Sequence, residues 1–154
     1  MHSVYCQTPY CGLKITQLDN HLHEIDFVNQ LPVRRASQDE LLQEALKQIQ
    51  QYFQSPGYVF DLPLKPQGTE FQRRVWQRLQ GIAPGEVRTY GEIATELHSS
   101  PRAVGNACRR NPIPLIIPCH RIVSAQGIGG FAGQTQGDKI SIKQQLLCHE
   151  GVEI

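Results

Sequence analysis

No apolar run in the 154 residues approaches the ~20 that span a bilayer. Met1-His2-Ser3 also lacks the charged-then-apolar layout of a secretory signal, so a cytoplasmic protein with no membrane partner is expected. There is no C-x-x-C pair, and an odd set of five cysteines argues against a disulfide framework and for a reducing compartment. Cys6, Cys11, His21 and His23 fit no standard zinc spacing, and His21 and His23, at i and i+2, more simply share one face of a strand. Neither a metal nor a cofactor is therefore expected. A net charge of +1 lacks the basic excess of many nucleic-acid binders. The charge is uneven, however. Residues 1–64 hold four Lys/Arg against seven Asp/Glu (−3), and residues 65–154 hold eleven against seven (+4), which permits phosphate binding by the second half.

What is present, 40% hydrophobic and 19% charged residues, describes a globular chain with one substantial core or two small ones. Val4 to Val28 reads as strands around an Asp19-Asn20 turn. Ser37 and Glu40 then read as a capping box for a helix whose apolar face is Leu41, Leu42, Ala45, Leu46, Ile49 and Phe53, stopped by Ser55-Pro56-Gly57. Residues 1–64 thus form an α/β N-terminal domain, a small sheet plus a helix, with a Pro-rich linker at its end. Residues 65–154 form a mostly α-helical C-terminal domain.

In that second half Thr69 and Gln72 box a helix with Phe71, Val75, Trp76 and Leu79 inside, and Gly81 ends it. Arg73, Arg74 and Arg78 on this helix suit a solvated face or a phosphate contact. Thr89 to Arg110 has the character of a helix-turn-helix. Thr89 and Glu92 box the first helix; Ser99 or Ser100 caps the second, with Pro101 in its first turn. Ala103, Gly105 and Ala107 leave the second helix little bulk, which fits either a narrow groove of DNA or a tight helix–helix contact. The loop Gly127–Gly133 lacks the strand-then-helix order of a G-x-G-x-x-G site; glycines around one aromatic suit a backbone closing over a flat ligand. Ser141 and Gln144 are expected to start a last helix, closed by Gly151.

The chemistry centres on Asn111 to Val123. Cys119 and His120 lie between apolar residues, with prolines at 112, 114 and 118 ruling out an ordinary central strand. A lone buried cysteine is usually inert core; beside a histidine, and between prolines that fix the backbone, it is also a candidate nucleophile. Neighbours on an extended chain point to opposite faces, so His120 can serve Cys119 only through a turn or a bridging water.

Pro118-Cys119-His120-Arg121, preceded by Asn111-Pro112 and an Ile-rich run, resembles the active-site signature of the O6-alkylguanine-DNA alkyltransferases, and the match runs from Phe71 to Gly151. The resemblance implies a DNA-repair protein. It would act as a monomer on double-stranded DNA containing O6-alkylguanine, using a helix-turn-helix in the minor groove and base flipping. The alkyl group would move irreversibly, once per chain, onto Cys119. By the same resemblance His120 is the water-linked base, Glu150 holds it, and Asn111 ties the recognition helix to the active-site turn. Tyr90 rotates the nucleotide and meets the guanine, and Arg102 fills the gap in the stack. Ala103, Gly105 and Arg109 meet the DNA. Ile122, Phe131, Ala132 and Gly133 line the guanine pocket, with Phe131 standing where many relatives have tyrosine. Gln134 to Asp138 looks longer than in several relatives. On residues alone Glu150 reads as a solvated helix-end carboxylate. A multiple-turnover thiol hydrolase and a DNA-binding module without transfer are the competing classes.

Overall fold

A computed structural model describes residues 2–32, 37–131 and 138–153. Strands β1 (His2–Gln7), β2 (Gly12–Leu18) and β3 (His21–Val28) form an antiparallel meander in the order β1-β2-β3. Asp19 and Asn20 both take positive φ in the β2–β3 turn, as such short polar residues tolerate. The β2–β3 ladder slips at His23: Leu22 faces Gln17 and Glu24 faces Thr16. This bulge lets Leu22 and Ile25, an odd number of residues apart, both turn into the core. It also reverses the strand's alternation there, so spacing alone does not place His21 and His23 on one face.

Helix α1 (Glu40–Gln54) packs on β2 and β1. Its cap is Asp39, whose carboxylate accepts from the Leu42 N–H, so the Ser37–Glu40 box is not formed. Gln17 Nε2 reaches Asp39 Oδ2 at 2.5 Å, and this tertiary bond selects Asp39 as the cap. Beyond the sheet, Leu22 exchanges hydrogen bonds with Pro63 and Lys65, and the Ile25 N–H donates to the Pro112 carbonyl at 2.9 Å. The free edge of β3 is thereby fastened to both the linker and the Asn111–Cys119 segment.

The remaining elements are α2 (Glu70–Gln80), β4 (Arg88–Thr89), α3 (Tyr90–Glu96), α4 (Pro101–Arg109), a 3₁₀ turn (Cys119–Arg121), β5 (Ile122–Val123) and α5 (Asp138–His149). Capping boxes form at Thr69/Gln72 and Thr89/Glu92, and Ser100 caps α4. His98, at φ 54, reverses the chain after α3, with the Ser99 N–H on the Ala94 carbonyl. Trp76, almost fully buried, donates from its indole N–H to the Ala107 carbonyl at 2.8 Å and fixes α2 against α4. A side chain at Gly68 would begin 2.4 Å from that indole, so the linker passes too close for any other residue. The short parallel pair β4–β5 joins the start of α3 to the end of the 3₁₀ turn.

Helix α5 already includes Asp138, three residues ahead of the expected Ser141, which lies exposed within it. Ile140 packs against the core and rewards the additional turn. Gly151, at φ +88, ends α5 with paired bonds from Gly151 to Cys148 and from Val152 to Leu147. No helix among the described residues is long and apolar enough to cross a membrane.

Candidate active site

Pro118 turns the chain into a 3₁₀ turn, with the Arg121 N–H on the Pro118 carbonyl and the Ile122 N–H on that of Cys119. Cys119, His120 and Arg121 are all buried. The turn meets the condition that an extended chain could not, since it keeps Cys119 and His120 off opposite faces. Upstream, Asn111 staples the segment: its Nδ2 donates to the Ile117 carbonyl and its Oδ1 accepts from the Ile113 N–H, each at 2.9 Å. Its backbone N–H caps the end of α4 on Cys108. Between those bonds Pro114 is followed by Leu115 at φ +75, inside a five-residue turn closed by the Ile117 N–H on the Ile113 carbonyl at 2.9 Å, with leucine in a conformation that favours glycine. Such a leucine costs ~1–3 kcal/mol, which its burial and the Asn111 bonds offset.

His120 Nε2 lies 2.8 Å from Glu150 Oε2 with both side chains fully buried. A carboxylate only accepts, so Nε2 carries the proton and Nδ1 of the neutral ring presents a lone pair. That Nδ1 has no protein partner among the described residues. Arg121 grips the same carboxylate with Nε on Oε1 at 2.9 Å and Nη2 on Oε2 at 2.8 Å, and its Nη1 donates to the Ile82 carbonyl at 2.7 Å. The Tyr52 hydroxyl, from α1, donates to Oε2 at 2.5 Å.

Glu150 is therefore a buried hub rather than the solvated carboxylate that its helix-end position suggests. Burial alone would push its carboxyl up; hydrogen bonds from His120 and Arg121 and their charges hold it well below the usual carboxylate range. Burial lowers His120, with Glu150 opposing and Arg121 reinforcing. Burial raises the Cys119 thiol, opposed by a hydrogen bond from Asn111 and the positive Lys143. The resting pair is thus a neutral thiol and a neutral imidazole.

Lys143 of α5, fully buried, spends its three ammonium protons on the carbonyls of Ile122 (2.7 Å), Ile128 (2.6 Å) and Gly130 (2.9 Å). Burial pulls its pKa to about 8. This clamp fixes the glycine-rich loop and occupies one lone pair of the carbonyl of Ile122, a residue expected to line the guanine pocket. Tyr90, first residue of α3, sits between Gly105 and Gly129, and burial pushes its hydroxyl up to about 12. A Cβ at Gly129 (φ +77) would begin 3.1 Å from the Tyr90 ring and hydroxyl, so that glycine is required. At Gly105 a Cβ would meet the ring at an ordinary 3.8 Å, so no tight backbone contact demands that glycine.

A cavity of about 220 Å³ reaches Cys119 and is lined by Glu24, Asp26, Cys108, Asn111, Pro114 and Lys139 among others. Tyr90, Ile122 and Phe131 are not in its wall; Phe131 is buried edge-on against Phe27 at 5.7 Å. Arg102, Asn106 and Arg109 form an exposed stripe of α4, continued by its cap residue Arg110, with Ala103 and Gly105 half-buried beside it. Arg78 pairs with Glu96 of α3, while Arg73 and Arg74 are exposed. Ala132 and Gly133 lie outside the described residues. Among the described residues no cluster of three or more His, Cys, Asp or Glu could hold a metal ion. Cys11 instead lies 3.5 Å from the Thr8 hydroxyl, and His21 bonds the Asp19 carbonyl. Sequence reasoning missed Tyr52, Arg121, Lys143, Glu24 and Asp26. Only Arg121, inside the signature itself, carried a local signal.

Two family models match the chain. The 6-O-methylguanine DNA methyltransferase ribonuclease-like domain matches residues 1–66, and the DNA binding domain of the same name matches residues 70–152. A methylated-DNA--protein-cysteine methyltransferase of Methanosarcina acetivorans is 43% identical over 124 residues, covering 79% of this chain and 77% of the relative. The solved O6-methylguanine methyltransferase of Mycobacterium tuberculosis is 32% identical with a TM-score of 0.82, covering 97% of this chain and 92% of that one. A structure titled as OGT of M. tuberculosis in complex with DNA has a TM-score of 0.79 at 34% identity, with the same coverage.

Proposed function

The chain belongs to the 6-O-methylguanine DNA methyltransferase family, and on that premise we propose that it repairs DNA by moving the alkyl group of O6-alkylguanine onto Cys119, once per molecule. The observation that carries this reading is the unpartnered lone pair of His120 Nδ1, buried one residue from a buried thiol, with Nε2–H fixed on Glu150. As the thiol sulfur attacks the alkyl carbon, its proton passes to Nδ1, directly or through one water, and the imidazolium is stabilised by Glu150. The S–C bond forms as the C–O6 bond breaks, and the electron pair leaves with the guanine. A hydrogen bond or proton from the Tyr90 hydroxyl to a ring nitrogen makes guanine a better leaving group. Because burial keeps the thiol protonated, proton removal and attack belong to one step.

The chain divides at residues 64/65. Helices α3 and α4 act as a helix-turn-helix in the minor groove. Arg102, Asn106, Arg109 and Arg110 face the duplex, and Ala103 and Gly105 allow close approach. The damaged base is flipped at a cost of a few kcal/mol, which Arg102 reduces by filling the gap it leaves. The loop after Gly127, held by Lys143, closes over the base. The protein acts as a monomer in the cytoplasm, where its thiol stays reduced.

Mass spectrometry after incubation with O6-methylguanine DNA tests the reading. One added methylene is expected on the Cys119 peptide, at one equivalent per chain. Cys119→Ser should show none while still binding DNA, because a serine hydroxyl is far less acidic. Turnover beyond one equivalent would favour the thiol hydrolase; transfer by the serine variant would remove Cys119 from the mechanism.

A further inference from the structure

Tyr52 lies 98 residues from Glu150 in sequence and in the other half of the chain, yet its hydroxyl is 2.5 Å from Glu150 Oε2. The side chain is fully buried, ringed by Phe53 at 5.0 Å, Phe60 at 5.4 Å and His149 at 5.0 Å between centroids. His149 Nε2 also bonds the Tyr52 backbone carbonyl at 2.8 Å, so the C-terminal end of α5 grips Tyr52 at two points. A carboxylate offers no proton, so the phenol must donate. Oε2 then serves three donors at once, Tyr52, His120 Nε2 and Arg121 Nη2, while Oε1 has Arg121 Nε. Donors that share one oxygen compete for its charge: what the phenol draws, the imidazole loses.

We propose that Tyr52 is a positioning residue for the transfer reaction, through which the first helix orients Glu150 and sets how strongly that carboxylate supports His120 as proton acceptor. This rests on the assignment of Cys119 and His120 above. It makes the N-terminal half a chemical part of the site. Removing the hydroxyl concentrates the charge of Oε2 on His120 Nε2–H, makes the imidazole easier to protonate, and loosens the carboxylate. The first change moves the loss of the free Nδ1 lone pair to higher pH, and the second leaves the neutral ring less firmly aimed at the thiol. The other charged or titratable groups around His120 are Arg121 and Lys143, and those around Tyr52 are Arg121, His149 and Tyr10. Phenylalanine at position 52 leaves the backbone bond to His149 in place.

The test is the single-turnover rate of Cys119 alkylation by free O6-benzylguanine from pH 5 to 9, read by mass, so that DNA docking does not enter. Tyr52→Phe should still alkylate Cys119, with the acidic limb of its profile moved up by roughly half a unit to one unit and the rate at pH 6 lowered by about 2–5-fold more than the rate at pH 8, a modest share of what acid–base groups contribute. Phe60→Leu, which disturbs the same aromatic cluster but keeps the hydroxyl, should lower the melting temperature and leave the limb in place. Should Tyr52→Phe fail to fold, 3,5-difluorotyrosine at position 52, a stronger donor, must move the limb down. A Tyr52→Phe profile superposable on wild type, an unmoved difluorotyrosine limb, or an equal shift in Phe60→Leu would each overturn the proposal. Absence of Cys119 alkylation in the wild-type protein would instead overturn the functional reading beneath it.

Discussion

Replacing Arg121 by methionine tests whether the buried carboxylate hub is built as described. Methionine fills much of the volume but removes both bonds to Glu150 and the bond to the Ile82 carbonyl. Glu150 has no exposed side-chain surface and Arg121 has 7%, so solvent does little to replace the lost guanidinium. Breaking a buried pair from one side costs about 3–5 kcal/mol, because the remaining charge stays uncompensated. At ~2–4 °C per kcal/mol for a chain of this size, the melting temperature should fall by roughly 6–20 °C. Adding Glu150→Gln to Arg121→Met removes the stranded charge while keeping an acceptor for Tyr52 and His120. The double variant should therefore melt above the single one, a coupling that only interacting residues show.

The same pair sets the acid limit of the fold. Glu150 is held below its ordinary value, so the unfolded chain binds more protons than the native one at pH values between the two. Its contribution is full above the ordinary carboxylate pKa near ~4.3 and is lost as pH falls through the folded value. Without Arg121 the folded value rises, and acid unfolding should begin at higher pH. Activity separates from stability here: the double variant should regain part of the lost melting temperature but has no anion to stabilise protonated His120, so its transfer should stay down by ~10²-fold or more. Thermal melts followed by circular dichroism, paired with single-turnover transfer, read both quantities. An Arg121→Met melt within about 2 °C of wild type, or a double variant less stable than the single, would refute the reasoning.

Arg102→Ala should lose far more transfer on duplex DNA than on free O6-benzylguanine, since only the duplex needs an extruded base; equal losses would assign Arg102 to the fold or the chemistry. Methylated protein should melt lower than free protein, because a thioether is bulkier than the thiol among Ile116, Ile117 and Ile122, and overpacking costs ~1–3 kcal/mol. An unchanged or higher melting temperature would contradict this.

Local signals were read well wherever local chemistry decides. The boxes at Thr69 and Thr89, the Ser100 cap, the Asp19-Asn20 turn and the Gly151 stop are each settled within about five residues. The Ser37–Glu40 box failed because Asp39 offers an equivalent cap two residues on, and Gln17, from a different element, decides between them. Glu150 was invisible as a hub for the same reason in stronger form. Its helix-end position is locally that of a solvated acid, and an anion at a helix C-terminus is disfavoured by the dipole. What reverses the reading is Arg121 and Tyr52, brought in from the active-site turn and the first helix. Lys143 was likewise passed over between Ile142 and Leu146, since a lysine on a buried stripe makes sense only once three loop carbonyls surround it.

These long-range contacts bear on how a single-use nucleophile is kept intact. A thiolate held ready would be alkylated or oxidised by any small electrophile that reached it, and with no step to regenerate the thiol each such event would consume a molecule. Burial of both Cys119 and His120 shifts the two groups in opposite directions, toward the neutral pair. Under the proposed function, the proton moves only when an alkyl carbon sits in place to accept the sulfur's electrons and a departing guanine carries the charge away. Under the same proposal, Glu150 is what makes that transfer possible in a buried site. Already ionised and already bonded to Nε2, it stabilises the imidazolium as it forms, without reorganisation. Arg121 keeps the carboxylate ionised, while its own positive charge opposes protonation of His120. The site is thus poised by two opposing contacts on one carboxylate, one favouring the imidazolium and one restraining it.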